Sequence, residues 1–389
     1  MTLIAGVSLA AWVWLLLGQG GFWRTDVRLP APNPAADADT WPDVAIVVPA
    51  RDEAEVLGVS LPSLLAQNYP GRAEIFLVDD GSTDGTGDLA RRLHETHGGL
   101  PLTVTSPGEP PAGWTGKLWA VRHGITLARE HTDARYLLLT DADIAHRPDN
   151  LRALTAAAVG HDLDLVSQMA KLRVQTGWER LIVPAFVYFF AQLYPFRWIN
   201  RPRTRTAAAA GGCVLLSSAA ATAADVPDAI RQSVIDDVAL ARAVKRSGGR
   251  VWLGLADQVD SVRPYPRLSE LWQMVARSAY AQLRHNPAVL AGTVVGLALI
   301  YLVPPVAAIG GALAGAWPLC ALGLAAWAVM TCTYLPMLRY YEQPLWLAPT
   351  LPYTAALYLL MTVDSAVEHY RGRGAAWKGR TYARPDASM

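Results

Sequence analysis

Cysteine is scarce: Cys213, Cys320 and Cys332 are the only three in 389 residues, with no CxxC pair among them. That excludes a disulfide framework and offers no zinc-ligand spacing. Net charge is nearly absent as well, at +1. No global field is available to attract a nucleic acid, so no nucleic-acid partner is expected. Charged residues make up 17% of the chain and hydrophobic residues 52%, with a positive mean hydropathy. The shortage of charge is concentrated at the two ends, and the middle reads as an ordinary α/β region. The length suits one domain of roughly two to three hundred residues with additional segments.

Residues 3–23 carry no charge, and Gln19 is their clearest polar exception. A membrane-crossing helix needs about 20 such residues. A signal peptide would show a basic start before the apolar run, and none is present. Arg24 and Arg28 come after the run, which by the positive-inside rule puts the following domain in the cytoplasm. Residues 1–23 are therefore expected to be an N-terminal anchor. Three further apolar runs, 288–312, 317–336 and 344–363, fall in a C-terminal membrane region over 286–365. Pro304-Pro305 interrupts the first, so a kinked or re-entrant segment is expected there. A tail over 366–389 carries Arg371, Arg373, Lys378, Arg380 and Arg384, which favours the cytoplasmic side. One entry and three crossings would leave that tail outside. The basic tail outweighs the count, so one C-terminal run is expected not to cross fully. Buried core helices are the alternative, disfavoured by the length of the uncharged runs.

Pro30, Pro32, Pro34 and Pro42 mark residues 24–43 as a linker. Beyond it, short apolar runs alternate with amphipathic stretches. Val44–Val48, Ile75–Val78, Leu102–Thr105 and Tyr136–Thr140 read as strands, and 53–67, 84–96, 116–130 and 149–158 as helices. Such alternation predicts a mainly parallel, Rossmann-like sheet with flanking helices. Ligands of these sheets bind beyond the carboxyl ends of the strands.

The first strand ends in Pro49-Ala50-Arg51-Asp52-Glu53 and the second in Asp79-Asp80-Gly81-Ser82-Thr83-Asp84. Crowded carboxylates are costly unless something polar or cationic meets them, although a capped strand–turn–helix junction accounts for the second motif equally well. The fourth strand runs into Asp141-Ala142-Asp143. Alternate strand residues share a face, so Asp141 and Asp143 are expected to reach one Mg²⁺ or Mn²⁺ ion whose other positions go to water and phosphate oxygens. Lys117 near a helix start suits a phosphate, against the alternative of a solvated lysine. Gly211-Gly212 permits close backbone approach or forms a simple turn. Asp236-Asp237 opens a helix, either as dipole-favoured caps or with a general base for an acceptor hydroxyl.

Taken in this order and spacing, these motifs resemble the family 2 glycosyltransferases of the GT-A fold, over about residues 44–285. The stretch Pro111-Ala112-Gly113-Trp114-Thr115-Gly116-Lys117, the terminal Trp377–Tyr382 and the membrane layout are similar to the membrane-bound branch of ceramide glucosyltransferases, and within it the hopene-associated type. The resemblance implies that Asp80 binds the nucleoside, with Pro49, Arg51 and Glu53 lining the same pocket. It implies Asp141 on the ribose or metal side, Asp143 on a divalent metal (Mn or Mg) and Asp237 as the base, with Asp236 beside it. The family's Gln/Arg-x-x-Arg-Trp motif is reduced here to Met274-Val275-Ala276-Arg277-Ser278. Arg277 alone is left to meet the diphosphate, which counts against a polysaccharide synthase. A non-catalytic nucleotide-binding scaffold is the other alternative, and it would be expected to lose Asp143 or Asp237.

One base and no second placed nucleophile point to inverting displacement from a nucleotide sugar; the resemblance implies UDP as the nucleotide and a lipid acceptor related to hopanoids. The expected setting is a bacterial-type inner (plasma) membrane, with the catalytic domain cytoplasmic. Four of the six phenylalanines lie in Phe186–Phe196, followed by Arg197, Arg201, Arg203 and Arg205. Pro184 and Pro195 break that stretch, so an interfacial segment over about 181–200, guiding the lipid, is expected, against the alternative of core packing.

Overall fold

The computed structural model describes residues 1–31 and 41–372 and the backbone at 376–377 and 380–381. Linker residues Pro32 and Pro34, tail residues Arg373, Lys378 and Arg384, and the side chains of Trp377–Tyr382 lie outside the described residues. The chain divides into two compact units. One is Val27–Arg173, Trp198–Pro264 and Ala376–Met389, and the other is Met1–Asp26, Val174–Arg197 and Tyr265–Ala375.

The first unit is built on eight strands: β1 Val44–Ala50, β2 Ala73–Asp79, β3 Leu102–Thr105, β4 Tyr136–Thr140, β5 Ile144–His146, β6 Leu165–Leu172, β7 Cys213–Ser217 and β8 Val251–Ser261. Their order is β3-β2-β1-β4-β7-β6-β8-β5. The first four are parallel. β7 runs antiparallel to both neighbours, and β5 closes the edge antiparallel to β8. This is the mainly parallel α/β sheet with flanking helices that the alternating pattern implied. Every residue of β1 is buried, as a central strand covered on both faces requires. Ile46, Val48, Ile75, Leu77 and Leu138 pack with Leu57 and Leu61 of the Ala54–Leu65 helix and Leu154 of the Asn150–Gly160 helix. On the other face the Gly116–His131 helix comes so close that a Cβ at Gly124 would lie 2.5 Å from Val47 Cγ1. The strand order reverses between β1 and β4, so a crevice opens at their carboxyl ends.

The second unit is apolar and helical. Three helices, Pro287–Leu313, Trp317–Tyr340 and Leu345–Tyr370, are long and apolar enough to cross a membrane. The N-terminal helix Thr2–Gly18 has 17 residues, about 25 Å of rise against the roughly 30 Å of a hydrocarbon core. The helix expected to be kinked or re-entrant at Pro304-Pro305 runs from Pro287 to Leu313 and widens into a π turn over Ala298–Leu302. Prolines at the start of the next helical segment leave carbonyls one turn back without N–H partners. Here Ser8 Oγ donates to the Leu299 carbonyl at 2.7 Å, and Trp12 Nε1 donates to the Ile300 carbonyl at 2.7 Å. The N-terminal helix thus supplies the polar groups that let the prolines sit inside an apolar helix.

The expected interfacial segment takes another form. Residues Gly177–Leu193 are one helix that contains Pro184 and buries Ile182, Val183, Ala185, Val187, Tyr188 and Ala191. Tyr188 OH lies 2.8 Å from Thr333 Oγ1, and Tyr358 OH donates to the Ile182 carbonyl. The aromatics pack inside the apolar unit because their hydroxyls find partners there, and this segment groups with the apolar unit rather than with the sheet.

The ends of the C-terminal helix group meet. The rings of His285 and His369 stack at 4.2 Å, and Tyr280 OH lies 2.9 Å from Tyr370 OH. Residues just before the first long helix and at the end of the third are therefore at the same level. Trp327 Nε1, midway along its helix, donates to the Pro349 carbonyl at 3.1 Å, so the third long helix begins partway up the second.

Candidate active site

The loops at the carboxyl ends of β1 and β2 are laced together by backbone-to-side-chain bonds. Ser82 Oγ accepts from Asp52 N–H, Thr86 Oγ1 from Glu53 N–H and Asp84 Oδ2 from Ala54 N–H, each at 2.9 Å. Asp52 sits at φ 50°, a left-handed position that aspartate tolerates, and its carboxylate accepts from Thr83 N–H at 2.8 Å. Asp84 thus fills the structural role that the motif allowed, holding the first N–H of a neighbouring helix. Asp80 lies just past the end of β2, beside this loop. It is 1% exposed, and Arg51 donates to its backbone carbonyl and stands 3.7 Å from its carboxylate.

Asp141 and Asp143 do not lie on a strand, as their spacing suggested. β4 ends at Thr140 and β5 begins at Ile144, so the Asp-Ala-Asp triplet is the tight turn between them. Alternation along a strand is not what aims the two carboxylates; the turn does that. Each carboxylate meets a cation. Lys117 Nζ is 2.9 Å from Asp141 Oδ1 and 3.1 Å from Asp236 Oδ2. Arg263 Nε is 3.1 Å from Asp143 Oδ2, while its Nη2 donates to Glu53.

Burial pushes the Asp141 carboxyl up, with the charges of Asp143 and Asp236 adding to it and Lys117 opposing. Burial alone would lower the Lys117 ammonium, but Asp141 and Asp236 outweigh it and hold the group well above its ordinary range. Lys117 is a permanent cation here, not a base. Asp237 is different. Its Oδ1 accepts from Val238 N–H at 2.7 Å and its Oδ2 from Gly211 N–H at 3.1 Å. Burial first, then the neighbouring Asp236 charge, raises its carboxyl to about 6, against the lowering pull of Lys117.

Gly211 and Gly212 earn their place by proximity. A Cβ at Gly211 would stand 3.5 Å from Asp237 Cβ, and one at Gly212 only 3.0 Å from Ile144 Cδ1. Their loop is held from behind by a buried chain. Thr140 Oγ1 donates to the Gly212 carbonyl at 2.8 Å and lies 2.9 Å from His146 Nε2, and Asn150 Nδ2 lies 2.9 Å from His146 Nδ1. For Thr140 to donate forward, His146 must carry its proton on Nε2. Burial lowers His146 to about 4, so it stays neutral.

The structure thus brings together Lys117, Asp141, Gly211, Asp236 and Asp237, with Pro49, around one crevice. It joins Glu53 and Asp143 through Arg263. Arg277 is exposed on the Leu268–Gln282 helix of the apolar unit. Arg263 and His146 escaped the sequence reading, since neither belongs to a local motif. The one available signal was the position of Arg263 just past an apolar run that β8 turned out to be.

Among the described residues no three His, Cys, Asp or Glu side chains form a metal cluster of their own. Two carboxylates on one turn are instead the donor set of a hard divalent ion that completes its shell with phosphate oxygens and water. Asp141 and Asp143 fit that requirement in chemical type.

The model of the family described as "Glycosyltransferase like family 2" matches residues 42–281, more than half of the chain. "Probable glycosyltransferase YdaM" of Bacillus subtilis is 34% identical over 121 residues, 29% of this chain and 28% of that protein. "4,4'-diaponeurosporenoate glycosyltransferase" of Staphylococcus aureus is 30% identical over 112 residues, 28% of this chain and 27% of that protein. "Dodecaprenyl-phosphate galacturonate synthase" of Rhizobium johnstonii is 29% identical over 140 residues, 36% of each. The matches span well under half the length of these relatives. Among solved structures, mannosyltransferase PcManGT from Pyrobaculum calidifontis, in complex with GDP-Man and Mn²⁺, superposes with a TM-score of 0.52 at 19% identity, covering 93% of this chain and 99% of that one. At that identity the likeness speaks for the fold.

Proposed function

The chain belongs to the glycosyltransferase like family 2, and from that membership we propose that it moves a sugar from a nucleoside-diphosphate sugar to a hydroxyl of a membrane lipid, with inversion at the anomeric carbon. It is a glycosyltransferase of the GT-A fold. The observation that carries the finer reading is the half-buried pair Asp236-Asp237 set beside Lys117 and Asp141 in one crevice.

In this mechanism Asp80, with Pro49, Arg51 and Glu53, holds the nucleoside. The acceptor oxygen bonds to the anomeric carbon as the bond to the diphosphate breaks, and the leaving diphosphate keeps the electron pair. Asp237 takes the acceptor proton. A carboxyl raised to about 6 is ionised at neutral pH yet more basic than an exposed carboxylate, as a base at this position needs. Gly211 N–H and Val238 N–H orient it. Lys117 keeps Asp141 and Asp236 from repelling one another. A divalent ion held by Asp143, with Asp141 beside it, would offset the charge that grows on the departing diphosphate.

A second reading is transfer to a lipid phosphate, the acceptor that the name of the Rhizobium relative describes for that protein. A phosphate oxygen needs no base, and the half-buried carboxylates of Asp236 and Asp237 would repel it. A hydroxyl acceptor is favoured on that ground. A UDP-sugar and a hopanoid or ceramide-like lipid are the first pair to test. The level meeting of His285 with His369 supports an even number of full crossings between them, with the helix that starts at Pro349's level returning to its own side. The tail then emerges on the side from which residue 285 enters, and that side is proposed as cytoplasmic, at a bacterial-type inner membrane.

The test is nucleotide release by full-length protein in lipid, with a panel of UDP- and GDP-sugars, Mn²⁺ or Mg²⁺, and lipid extract. Release with one donor, abolished by EDTA and by Asp143→Ala, is expected. Undiminished release by Asp143→Ala would remove the metal role, and retention of configuration in the product would remove Asp237 as base.

A further inference from the structure

Arg263 links two carboxylates far apart in sequence. Its Nε stands 3.1 Å from Asp143 Oδ2, and its Nη2 donates to Glu53. Ser261 Oγ donates to the same Asp143 oxygen at 3.2 Å. The Asp143 and Glu53 side chains are only 15% and 8% exposed, and Arg263 is 23% exposed. The backbone beneath is pinned: β5 pairs with β8 through Ile144 and Ser261, and Val262 N–H donates to the Asp143 carbonyl at 2.9 Å. The long guanidinium arm is therefore the adjustable part of the arrangement.

Asp143 Oδ2 already meets two donors. A divalent ion that binds through this oxygen must displace the guanidinium, because a metal and an N–H cannot use the same lone-pair direction and two cations repel at contact. Removing Arg263 would take away the cation that both nearly buried carboxylates contact, and a loss of positive charge there favours the entry of another cation.

We propose that Arg263 is a resident countercation that competes with the divalent ion for Asp143. It holds Asp143 and Glu53 when no nucleotide is bound, and yields Asp143 when a nucleoside diphosphate brings the ion. The second anchor at Glu53 keeps the guanidinium beside the nucleotide pocket after Asp143 is released. The consequence is order: the ion binds weakly on its own and strongly only together with the diphosphate. Arg263 is thus a positioning residue for the ion, and the inference rests on the reading of Asp143 given above.

The test is Mn²⁺ titration of the full-length protein in detergent, followed by the electron paramagnetic resonance signal of free Mn²⁺, without nucleotide and then with UDP or GDP. Wild type is compared with Arg263→Gln, Arg263→Lys and Asp143→Asn, each first shown to melt cooperatively. Without nucleotide, Arg263→Gln is expected to bind Mn²⁺ about tenfold more tightly than wild type, since a charge-assisted hydrogen bond no longer competes. Arg263→Lys, which cannot span both carboxylates, should fall between. With nucleotide the gap should close. Equal or weaker Mn²⁺ binding by both Arg263 variants, with binding lost in Asp143→Asn, overturns the competition and leaves the metal reading standing. Unchanged binding in Asp143→Asn overturns both, and the two failures are told apart by that control.

Discussion

Asp237→Asn should remove catalysis and at the same time relieve a pH-dependent cost to the fold. Burial and the Asp236 charge raise this carboxyl to about 6 in the native protein, whereas an unfolded chain releases the proton near 3.9. Between those values the native state holds a proton that the unfolded state has lost. The stabilisation is complete below the unfolded value and disappears as pH rises through 6. About two units at 1.36 kcal/mol each set an upper bound of about 3 kcal/mol. The side chain is partly exposed, and solvent screening reduces the expected effect to about 1–2 kcal/mol. Asparagine does not titrate. The variant should therefore gain about 1–2 kcal/mol on wild type between pH 4.5 and 8, or roughly 2–6 °C in melting temperature for a domain of this size. His146, lowered to about 4, acts in the opposite sense: its neutral form favours the fold, and that contribution is lost as pH falls from 6.5 towards 4. It is common to both proteins and cancels in the difference. Tryptophan-fluorescence melts in detergent across this pH range supply one readout, and sugar transfer supplies the other. Transfer should drop about 10²- to 10⁴-fold in the variant, and in wild type should decline on the acid side with a midpoint near 6. Parallel melting curves for the two proteins at every pH would refute the buried, raised carboxyl. Wild-type turnover by the variant would refute the base.

Lys117→Met should leave Asp141 and Asp236 without their shared cation, costing about 2–4 kcal/mol in thermal or urea melts and at least about a hundredfold in turnover; a variant as stable and active as wild type would dismiss the bridge. Asp80→Asn should raise the donor KM about tenfold with kcat within about twofold, the pattern of lost ground-state binding, measured by nucleotide release. Trp12→Phe keeps an aromatic ring, though a smaller one, and orphans the Ile300 carbonyl, so melting should show a loss of about 1–3 kcal/mol, with the donor KM unchanged.

The parts of this protein legible in the sequence are those whose cause is local. β3 and β4 begin and end where the apolar runs do, and the helix at Gly116 starts where Thr115 caps it, accepting from Leu118 N–H. The Asp236-Asp237 helix start was legible, but whether the pair caps or catalyses stays open in the sequence, because the Gly211 N–H and Lys117 contacts that bear on it are made by other elements. The Asp141–Asp143 spacing suggested strand alternation where a turn exists, and the two carboxylates meet different cations, Lys117 and Arg263. Pro184 and Pro304-Pro305 read as breaks because proline removes a hydrogen bond. Both helices continue through their prolines, and in the second Ser8 and Trp12 meet carbonyls left over one turn back.

Hydrophobic periodicity and turn chemistry act over a few residues, and so the sequence by itself determined the α/β alternation, the apolar helices at both ends and the carboxylate motifs at the strand ends. Tertiary structure alone decided which charges meet. The antiparallel pairing of β5 with β8 delivers Arg263 to Asp143 across 120 positions, and the crevice beyond β1 and β4 sets Lys117 between Asp141 and Asp236. Ion pairs between distant residues carry no sequence signature, because their geometry is fixed by sheet register and helix packing, which are long-range by nature.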